Sequence, residues 1–338
     1  MPDGGRRKAP EAYLPPPDDA DNRAALNRSH LTCRQDTHRG SNFRARDRCH
    51  RKGVERPMAE PQATNPPATQ PRTTRPPATD PQRVLITGGA SGIGRAMAEA
   101  FNDAGARVHV ADLPASRGGQ PEGCGFSGVD VSDPAGVDEL FATVLAPADA
   151  GGLGGLDVLC ANVGIAGPTG PIEDLDAEGW DQTMAVNVRS AFLCCRRAVP
   201  AMRATGGGSI LLTSSTAGIT GFPMRSPYAA SKYAVIGLGD TLAMEVGEFG
   251  IRVNVLCPGS VDGDRMVRVI DAEAAATGES AADLRAAYEK QVSMRTFVEG
   301  RDIAAMAVFL ASPAARFVNG QTISVDGGLE TLRTTWRT

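Results

Sequence analysis

From residue 83 onwards, short and nearly continuous apolar runs alternate with stretches whose apolar residues recur at helical spacing. Such apolar runs predict buried strands, and the intervening stretches predict amphipathic helices. The predicted strands span 84–86, 107–111, 125–129, 156–161, 209–213, 251–256 and 322–325. The predicted helices span 134–146, 179–203, 227–248 and 301–312, with a first one through Ala96, Met97, Ala100 and Phe101 that ends at Gly105. This alternation predicts an α/β fold, a single doubly wound Rossmann-type domain with a parallel sheet of about seven strands.

Residues 1–82 lack this periodicity. They are polar and rich in arginine, and residues 57–81 contain eight prolines among Ala, Thr and Gln. Such a composition cannot bury enough apolar surface to offset the entropy of ordering. We therefore expect 1–82 to be a disordered N-terminal extension, 83–330 to be the folded domain and 331–338 to be a short C-terminal tail. Met58 is a second candidate for the start of translation besides Met1.

The charge is distributed unevenly. Residues 1–82 carry 15 Lys and Arg against 10 Asp and Glu, although the whole chain has a net charge of −4. Because positive and negative residues are interspersed in the extension, we interpret it as solvated rather than as a nucleic-acid or membrane-binding segment. The sequence has no apolar run of transmembrane length and no secretory signal, and its seven cysteines are odd in number and scattered. These features predict reduced thiols and a cytoplasmic protein.

A glycine-rich loop lies between the first predicted strand and the first predicted helix. Glycines let the backbone turn tightly and approach a pyrophosphate, and the helix N-terminus offers free N–H groups to that anion. In the setting strand–loop–helix, the pattern predicts a dinucleotide-binding site. The residues predicted to contact the cofactor here are Thr87, Gly88, Ser91, Gly92, Ile93 and Gly94.

An acidic residue, Asp112, ends the second predicted strand, 18 residues after Gly94. A carboxylate at this point can accept hydrogen bonds from ribose hydroxyls and repels a 2′-phosphate, although it can also serve as a loop cap. Ser91 offers no positive charge to such a phosphate, so the cofactor is predicted to be NAD rather than NADP. Asp130 and Val131, after the third strand, are predicted to contact the adenine, with turn formation as the alternative for Asp130.

These and later motifs resemble those of the short-chain dehydrogenase/reductases over residues 83–328. The loop 87–94 resembles the family's T-G-x-x-x-G-x-G, and 228–232 reads Y-x-x-x-K in full. The other matching residues are Asn162 and Gly164 after the fourth strand, Asn187 within V-N-V, Ser215 thirteen residues before Tyr228, and Pro258, Gly259 and Val261 after the sixth strand. Two positions depart from the pattern: Ala161 replaces a side-chain amide, and Gly263 replaces a threonine that would hold the nicotinamide end.

The resemblance implies oxidation of an alcohol, or reduction of a carbonyl, with a nicotinamide cofactor. A free tyrosine is mostly protonated at neutral pH, but an ammonium beside it favours the phenolate. Lys232 lies four residues after Tyr228 on the same helix face. The resemblance assigns the acid/base role to Tyr228, ribose and charge contacts to Lys232, substrate binding to Ser215 and a proton-relay water to Asn187. The neighbouring Ser214 is the alternative to Ser215.

The sequence does not select a substrate. Segments 165–168, 216–224 and 260–297 are expected to line the pocket, and 260–297 is expected to form a helical lid. Three arginines in it, Arg265, Arg268 and Arg295, could meet an anionic substrate or simply face solvent. His109 is the one histidine of the folded domain, so no metal site is expected.

Three functions remain open. The leading one is an NAD-dependent dehydrogenase of a small secondary alcohol, polyol or hydroxy acid. The second is a 3-oxoacyl thioester reductase acting on a carrier protein or coenzyme A ester. The third is a nucleotide-sensing module without catalysis, which should have lost Tyr228 or Lys232. Family resemblance and the apolar surface of helices 179–203 and 227–248 predict a homotetramer, or at least a homodimer.

Overall fold

Seven strands form one sheet in the computed structural model, which describes residues 81–329. Every neighbouring pair is parallel, and the strand order is β3-β2-β1-β4-β5-β6-β7. The prediction of a seven-stranded parallel sheet is therefore confirmed. The strands are β1 (Arg83–Thr87), β2 (Arg107–Asp112), β3 (Gly125–Gly128), β4 (Val158–Ala161), β5 (Gly208–Thr213), β6 (Ile251–Pro258) and β7 (Gln321–Val325).

The central strands are apolar on both faces because helices cover both sides of the sheet. Ile86 in β1, for example, is paired with Val110 on one side and with Cys160 on the other, and all three side chains are fully buried. A parallel sheet with two covered faces needs such continuous apolar runs rather than alternation. This is why short apolar runs located the strands correctly in the sequence.

Residues 81–329 form eight α-helices. Helices α1 and α8 cover one face of the sheet through residues such as Met97, Phe101 and Ile303. Helices α2, α4 and α5 cover the other face through residues such as Phe141 and Met202. The helices are α1 (Gly92–Asp103), α2 (Pro134–Leu145), α3 (Ala177–Met184), α4 (Ser190–Ala204), α5 (Ser226–Val246), α6 (Asp264–Thr277), α7 (Ala281–Gln291) and α8 (Gly300–Ala311). No helix among these residues is both long and apolar enough to cross a bilayer.

The predicted single helix 179–203 is wrong in one respect. A π-helical turn, Ala185–Arg189, separates α3 from α4, so three pieces replace one helix. Apolar spacing does not reveal such a turn, because inserting one residue changes the helix register only locally. The turn contains one of the predicted site residues, Asn187.

The segment expected to form a lid contains α6 and α7. They enclose a small apolar cluster of their own, made of Met266, Ile270, Leu284 and Phe297, apart from the two clusters on the faces of the sheet. Segment 260–297 thus adds a separate packed layer at the carboxyl end of the sheet. The extension 1–82, apart from its last two residues, and the tail 331–338 lie outside the described residues.

Strand order reverses between β1 and β4. In open α/β sheets, a crevice forms at that point beyond the carboxyl ends of the strands, and ligands bind in it. The loops that follow β1, β2, β4, β5 and β6 all open at this edge. This edge is where the predicted site residues lie.

Candidate functional site

The glycine-rich loop after β1 is shaped by close backbone contacts. A Cβ atom on Gly94 would lie 2.0 Å from the Gly88 carbonyl oxygen, so α1 can approach β1 this closely only with glycine there. Gly88 has a φ of +66°, and its N–H donates to the Ala111 carbonyl at 2.7 Å. The loop therefore turns directly from β1 into α1, as the sequence predicted.

The N-terminus of α1 is open to an anion. Ser91, at the N-cap position, is exposed and makes no capping bond, and the first turn contains no acidic residue. By contrast, Asp133 caps α2 by accepting from two backbone N–H groups. A Cβ on Gly92 would meet no atom within 4 Å, so the space beside Gly92 at the start of α1 is open. This arrangement can receive a phosphate.

Asp112 ends β2 beside the same loop. Its carboxylate accepts from the N–H of Ala90 at 3.0 Å and from the N–H of Leu113 at 2.8 Å. The side chain therefore supports the loop and still has unused lone pairs for a ribose hydroxyl. Asp130 is exposed and accepts from the Ser132 N–H at 2.8 Å, which is the turn-forming role, while Val131 beside it is buried.

The turn after β4 is stabilised without an amide at Ala161. Thr87 Oγ1 accepts from the N–H groups of Asn162 at 3.1 Å and Val163 at 3.4 Å. Asn162 Nδ2 lies 3.4 Å from the Gly88 carbonyl oxygen, which it can donate to. Thr87 and Asn162 thus join β4 to the glycine-rich loop, and they supply the contacts that the departure at Ala161 would otherwise remove.

Tyr228 and Lys232 lie one turn apart in the first part of α5. Lys232 is 2% exposed, and its Nζ donates to the Thr213 carbonyl at the end of β5, at 3.0 Å. The same Nζ lies 5.7 Å from the centre of the Tyr228 ring. A Cβ on Gly164 would lie 3.1 Å from this Nζ, so the glycine leaves room for the ammonium.

The surroundings of Tyr228 favour its phenolate. Burial is the largest single influence on the pKa of Tyr228 and raises it, while the positive charges of Lys232 and Arg265 lower it. A hydrogen bond from Ser215 and the charge of Arg225 lower it further, so the net pKa lies below the ordinary value. The pKa of Lys232 is also lowered, mainly by burial, while Tyr228 acts in the opposite direction.

Two adjacent serines follow β5 and differ in their contacts. Ser214 is buried, and its hydroxyl donates to the Lys232 carbonyl at 2.8 Å. Ser215 accepts from the Ala217 N–H at 3.2 Å and is hydrogen-bonded to Tyr228. The geometry thus brings Ser215, and not Ser214, to the tyrosine hydroxyl.

Asn187 is buried in the π-helical turn. Its Oδ1 accepts from the Ile165 N–H at 2.7 Å, and its Nδ2 donates to the Ile165 carbonyl at 3.0 Å and to Ser231 Oγ at 2.9 Å. Both amide N–H groups are therefore already bound to protein. The predicted role of holding a relay water stays a prediction.

The turn after β6 closes the same edge. The Gly259 N–H donates to the Val325 carbonyl, and a Cβ there would lie 2.7 Å from that of Asp326. Val261 pairs with Val298 in an isolated parallel bridge. Helices α6 and α7 lie between these two residues in the chain. Gly263 immediately precedes α6 and has a φ of +137°. A threonine would be strained in this conformation, so glycine suits the turn better than the threonine of the family pattern.

Sequence reasoning missed Arg225. This residue immediately precedes α5 and is 6% exposed. Its guanidinium carbon lies 5.3 Å from the centre of the Tyr228 ring, and that of Arg265 lies 5.8 Å from it. No motif marks Arg225, although its position three residues before Tyr228 in the loop facing the pocket was a usable signal. Arg268 and Arg295 have no corresponding contact with Tyr228.

His109 is buried away from this edge and contacts Ser127 Oγ at 2.9 Å. Residues 81–329 contain no grouping of three His, Cys, Asp or Glu side chains suited to a metal ion. None of the five cysteines in that range forms a disulfide, and four of them are buried. Burial raises the pKa of the Cys160, Cys194 and Cys195 thiols. Cys257 is fully buried as well.

Comparison with known proteins shows similarity over the whole described domain. A family model described as Enoyl-(Acyl carrier protein) reductase matches residues 88–330. The 2,5-dichloro-2,5-cyclohexadiene-1,4-diol dehydrogenase of Sphingobium indicum is 34% identical over 74% of this chain and 97% of its own. The D-beta-hydroxybutyrate dehydrogenase of Cupriavidus necator is 34% identical over 72% of this chain and 96% of its own. The crystal structure of levodione reductase matches with a TM-score of 0.68 at 30% identity, over 74% of this chain and 97% of its own.

Proposed function

This chain belongs to the short-chain dehydrogenase/reductase family, and we propose that it is an NAD-dependent alcohol dehydrogenase, or carbonyl reductase in reverse, in which Tyr228 is the general acid/base. The observation that carries the proposal is the surroundings of the Tyr228 hydroxyl. The serine hydroxyl of Ser215 is hydrogen-bonded to it, and the buried ammonium of Lys232 lies 5.7 Å from the ring centre, at the edge of the sheet where the glycine-rich loop opens. Relatives named as dehydrogenases of a diol and of a hydroxy acid support oxidation of a hydroxyl group.

The residues at this edge suit a dinucleotide. The uncapped N-terminus of α1, the open space at Gly92 and the close packing at Gly94 provide a cradle for a pyrophosphate. Asp112 would hold the adenosine ribose, and Lys232 the nicotinamide ribose. When bound, the nicotinamide supplies the hydride acceptor for oxidation or the donor for reduction. The adenine end would lie near Asp130 and Val131.

Proton transfer is the task of the protein side chains. Ser215 donates to the substrate oxygen and keeps it beside the Tyr228 hydroxyl. Tyr228, as the phenolate, takes the hydroxyl proton during oxidation and returns it during reduction. Lys232 stabilises the phenolate by its charge, and the contact with the Thr213 carbonyl fixes the position of Nζ. Asn187 fixes the backbone at Ile165 and, through Gly164, the wall beside Lys232.

The preference for NAD rests on Asp112. Its carboxylate would repel the 2′-phosphate of NADP, and Ser91 provides no compensating positive charge. Asp112→Ala should narrow the difference in kcat/KM between NAD and NADP, whereas Asp130→Ala should leave it unchanged. Because Asp112 also supports the loop through Ala90 and Leu113, both variants are checked by thermal unfolding.

The alternative function, reduction of a 3-oxoacyl thioester, uses the same proton-transfer groups. The description of the matching family model, which names an acyl carrier protein, keeps this alternative in view. Asp112 counts against it where NADPH would be the reductant. A 3-oxoacyl thioester and a simple ketone, offered with each reduced cofactor, distinguish the two functions.

The experiment for the proposal measures reduced cofactor at 340 nm with the purified full chain. A panel of secondary alcohols, polyols and hydroxy acids is tested with NAD and NADP, and the matching ketones with the reduced cofactors. We expect turnover of at least one alcohol with NAD at a higher kcat/KM than with NADP. Tight NAD binding by calorimetry without turnover of any alcohol or ketone would favour the nucleotide-sensing function instead.

A further inference from the structure

A buried guanidinium beside the proposed acid/base lacks a carboxylate partner. Arg225 is 6% exposed, and the one hydrogen bond of its guanidinium among the described residues runs from Nη2 to the Ala166 carbonyl at 3.2 Å. Its Nε is buried and has no hydrogen-bond partner among them. Buried charges in proteins are normally paired, because an unpaired one loses its hydration without compensation. Arg225 therefore has bonding capacity that a ligand could use.

A second guanidinium faces the same ring. Arg265, in the first turn of α6, lies 5.8 Å from the centre of the Tyr228 ring and 3.4 Å, through Nη1, from the Gly164 carbonyl. The two arginines come from opposite sides of the cleft, one from the loop before α5 and one from the lid. Their positive charges repel each other, and with Lys232 they place three cations around one tyrosine.

The nearby acidic side chain, Glu273, attracts Arg225 more weakly than Tyr228 does, so it offsets these charges only in part. Glu273 accepts a 2.6 Å hydrogen bond from the Tyr288 hydroxyl and forms no ion pair with either arginine. The phenolate of Tyr228 would balance one cation at most. The other ion pairs of arginine in residues 81–329 lie elsewhere, and none includes Arg225 or Arg265. A bound anion is the missing counter-charge.

We propose that the alcohol substrate is a small hydroxy acid whose carboxylate is held by Arg225 and Arg265 while its hydroxyl meets Ser215 and Tyr228. This inference rests on the proposed alcohol dehydrogenase function and specifies its substrate class. Guanidinium groups suit this task, because their N–H pairs match the two oxygens of a carboxylate. The substrates in the names of relatives include an uncharged diol and an acid, so those names do not select the class.

The held carboxylate also defines the size of the substrate. Both guanidinium carbons lie within 6 Å of the Tyr228 ring centre, so the carboxylate and the reacting hydroxyl are a few bonds apart. This geometry suits 2-hydroxy and 3-hydroxy acids. The carboxylate itself takes no part in the redox step: the carbinol C–H gives a hydride to NAD, the O–H proton passes to Tyr228, and a ketone forms.

The test compares each acid with its uncharged ester. Lactate and 3-hydroxybutanoate are assayed against their methyl esters, with saturating NAD and the full chain. We expect kcat/KM for at least one acid to exceed that of its ester by about 10-fold or more, because a charge-assisted hydrogen bond is lost in the ester. Binding of the corresponding oxo acid and its ester to the NADH-loaded protein, measured by calorimetry, provides a readout independent of turnover.

Variants separate recognition from loop support. Arg225→Gln and Arg265→Gln should each lower the ratio of kcat/KM for the acid to kcat/KM for its ester by about 10- to 100-fold. Both arginines also lower the pKa of Tyr228, so acid and ester are compared at the same pH, where this effect is common to both. Arg268→Gln, an exposed arginine on the same helix as Arg265, is the matched control and should leave the ratio unchanged. If Arg225 only joins the loops through Ala166, Arg225→Gln would lower acid and ester turnover equally and lower the melting temperature, which overturns the proposal.

The cofactor is a second possible source of the anion. If Arg265 paired with its pyrophosphate, Arg265→Gln would weaken NAD binding, whereas the proposal expects an unchanged Kd for NAD. If the parent enzyme oxidised esters or neutral alcohols faster than every acid, the proposed substrate class would be wrong. The proposed dehydrogenase function would still hold in that case. Absence of all turnover, together with oxo acid binding that depends on Arg225, would support the anion site and reject the proposed function.

Discussion

Ser214 and Ser215 are adjacent, but only Ser215 is hydrogen-bonded to the Tyr228 hydroxyl, whereas Ser214 donates to the Lys232 carbonyl. Ser215→Ala should lower kcat by about 10²- to 10³-fold, because it removes a donor to the substrate oxygen, and should leave the melting temperature nearly unchanged. Ser214→Ala should retain most activity and cost about 1–2 kcal/mol of stability, because the Lys232 carbonyl loses a buried donor. Steady-state kinetics and thermal unfolding of both variants check this pair. Equal activity losses would contradict the assignment.

The charges around Tyr228 predict a pH dependence with a definite sign. The protonated phenol cannot accept a proton, so kcat/KM for alcohol oxidation should be low in acid and rise as pH passes through the pKa of Tyr228. Because Lys232 and the arginines hold this pKa below its ordinary value, the rise should occur below pH 10. Carbonyl reduction needs the proton and should fall over the same range.

Lys232→Met tests the source of this shift. Loss of the ammonium should move the rise in any remaining oxidation activity to higher pH and weaken NAD binding through the lost ribose contact. Since Tyr228 and Lys232 titrate together, the measured value belongs to the pair. Apparent pKa values from pH profiles of both enzymes are the measurement, and an unchanged profile in the variant would mean that another group titrates.

At this scale, sequence reasoning found residues that stand in motifs and missed one that does not. Ser215, Tyr228 and Lys232 have fixed spacings, and folding brings them together. Arg225 has no spacing rule, because its position beside Tyr228 depends on how the loop 214–225 packs on Ala166. A buried arginine cannot be told from an exposed one by sequence alone.

Among the elements, the β1–α1 unit depends most strongly on one residue. Gly94→Ala would place a methyl group 2.0 Å from the Gly88 carbonyl oxygen, so the helix must move away from the strand. We expect a loss of about 1–3 kcal/mol in stability and weaker NAD binding. Gly237→Ala on α5, where an added Cβ meets no atom within 4 Å, should instead be neutral or stabilising by up to about 1 kcal/mol.

Denaturant unfolding and NAD titration of both glycine variants are the measurements. A Gly94→Ala protein with parental stability and NAD affinity would show that the loop tolerates a larger residue and does not form the close cradle described above.

Element types could be predicted from periodicity because buried strands and helices of three or more turns leave a strong apolar pattern. The exact ends of the strands and helices, and the interruption of the long helix, could not be predicted in this way. The π-helical turn at Ala185–Arg189 depends on tertiary contacts of Asn187 with Ile165 and Ser231, which no local pattern encodes. The split of 260–297 into α6 and α7, by contrast, coincides with local signals: Gly278 ends α6 with a φ of +79°, and Ser280 caps α7 by accepting from the Asp283 N–H.

For the whole molecule, the outer face of α3, α4 and α5 carries apolar surface without a partner among residues 81–329. Phe192 is 48% exposed, Tyr233 47% and Met244 87%. An open groove of about 630 Å³ on this face is lined by Asp181, Met184, Ala185, Val188, Arg189, Phe192 and Leu238. Exposed apolar patches of this kind mark interfaces between subunits.

We therefore expect a homotetramer, or at least a homodimer, joined through this face. Light scattering at micromolar concentration should give a mass that is a multiple of 35.2 kDa. Phe192→Asp should lower that mass by charging the interface, whereas Arg268→Gln, outside the face, should not. A parent protein that stays at 35.2 kDa would contradict the assignment of the interface.

The central claim is that the Tyr228 hydroxyl carries the proton, and Tyr228→Phe tests it most directly. The substitution keeps the ring between Lys232 and the arginines and removes only the group that exchanges a proton. The measurement is the kinetics of the variant with the alcohol that the parent enzyme oxidises most efficiently. The NAD affinity and melting temperature of the variant are determined beside it. The account predicts a fall in kcat of at least about 10²-fold with NAD affinity and stability nearly unchanged. Near-parental kcat in a folded Tyr228→Phe protein would contradict it.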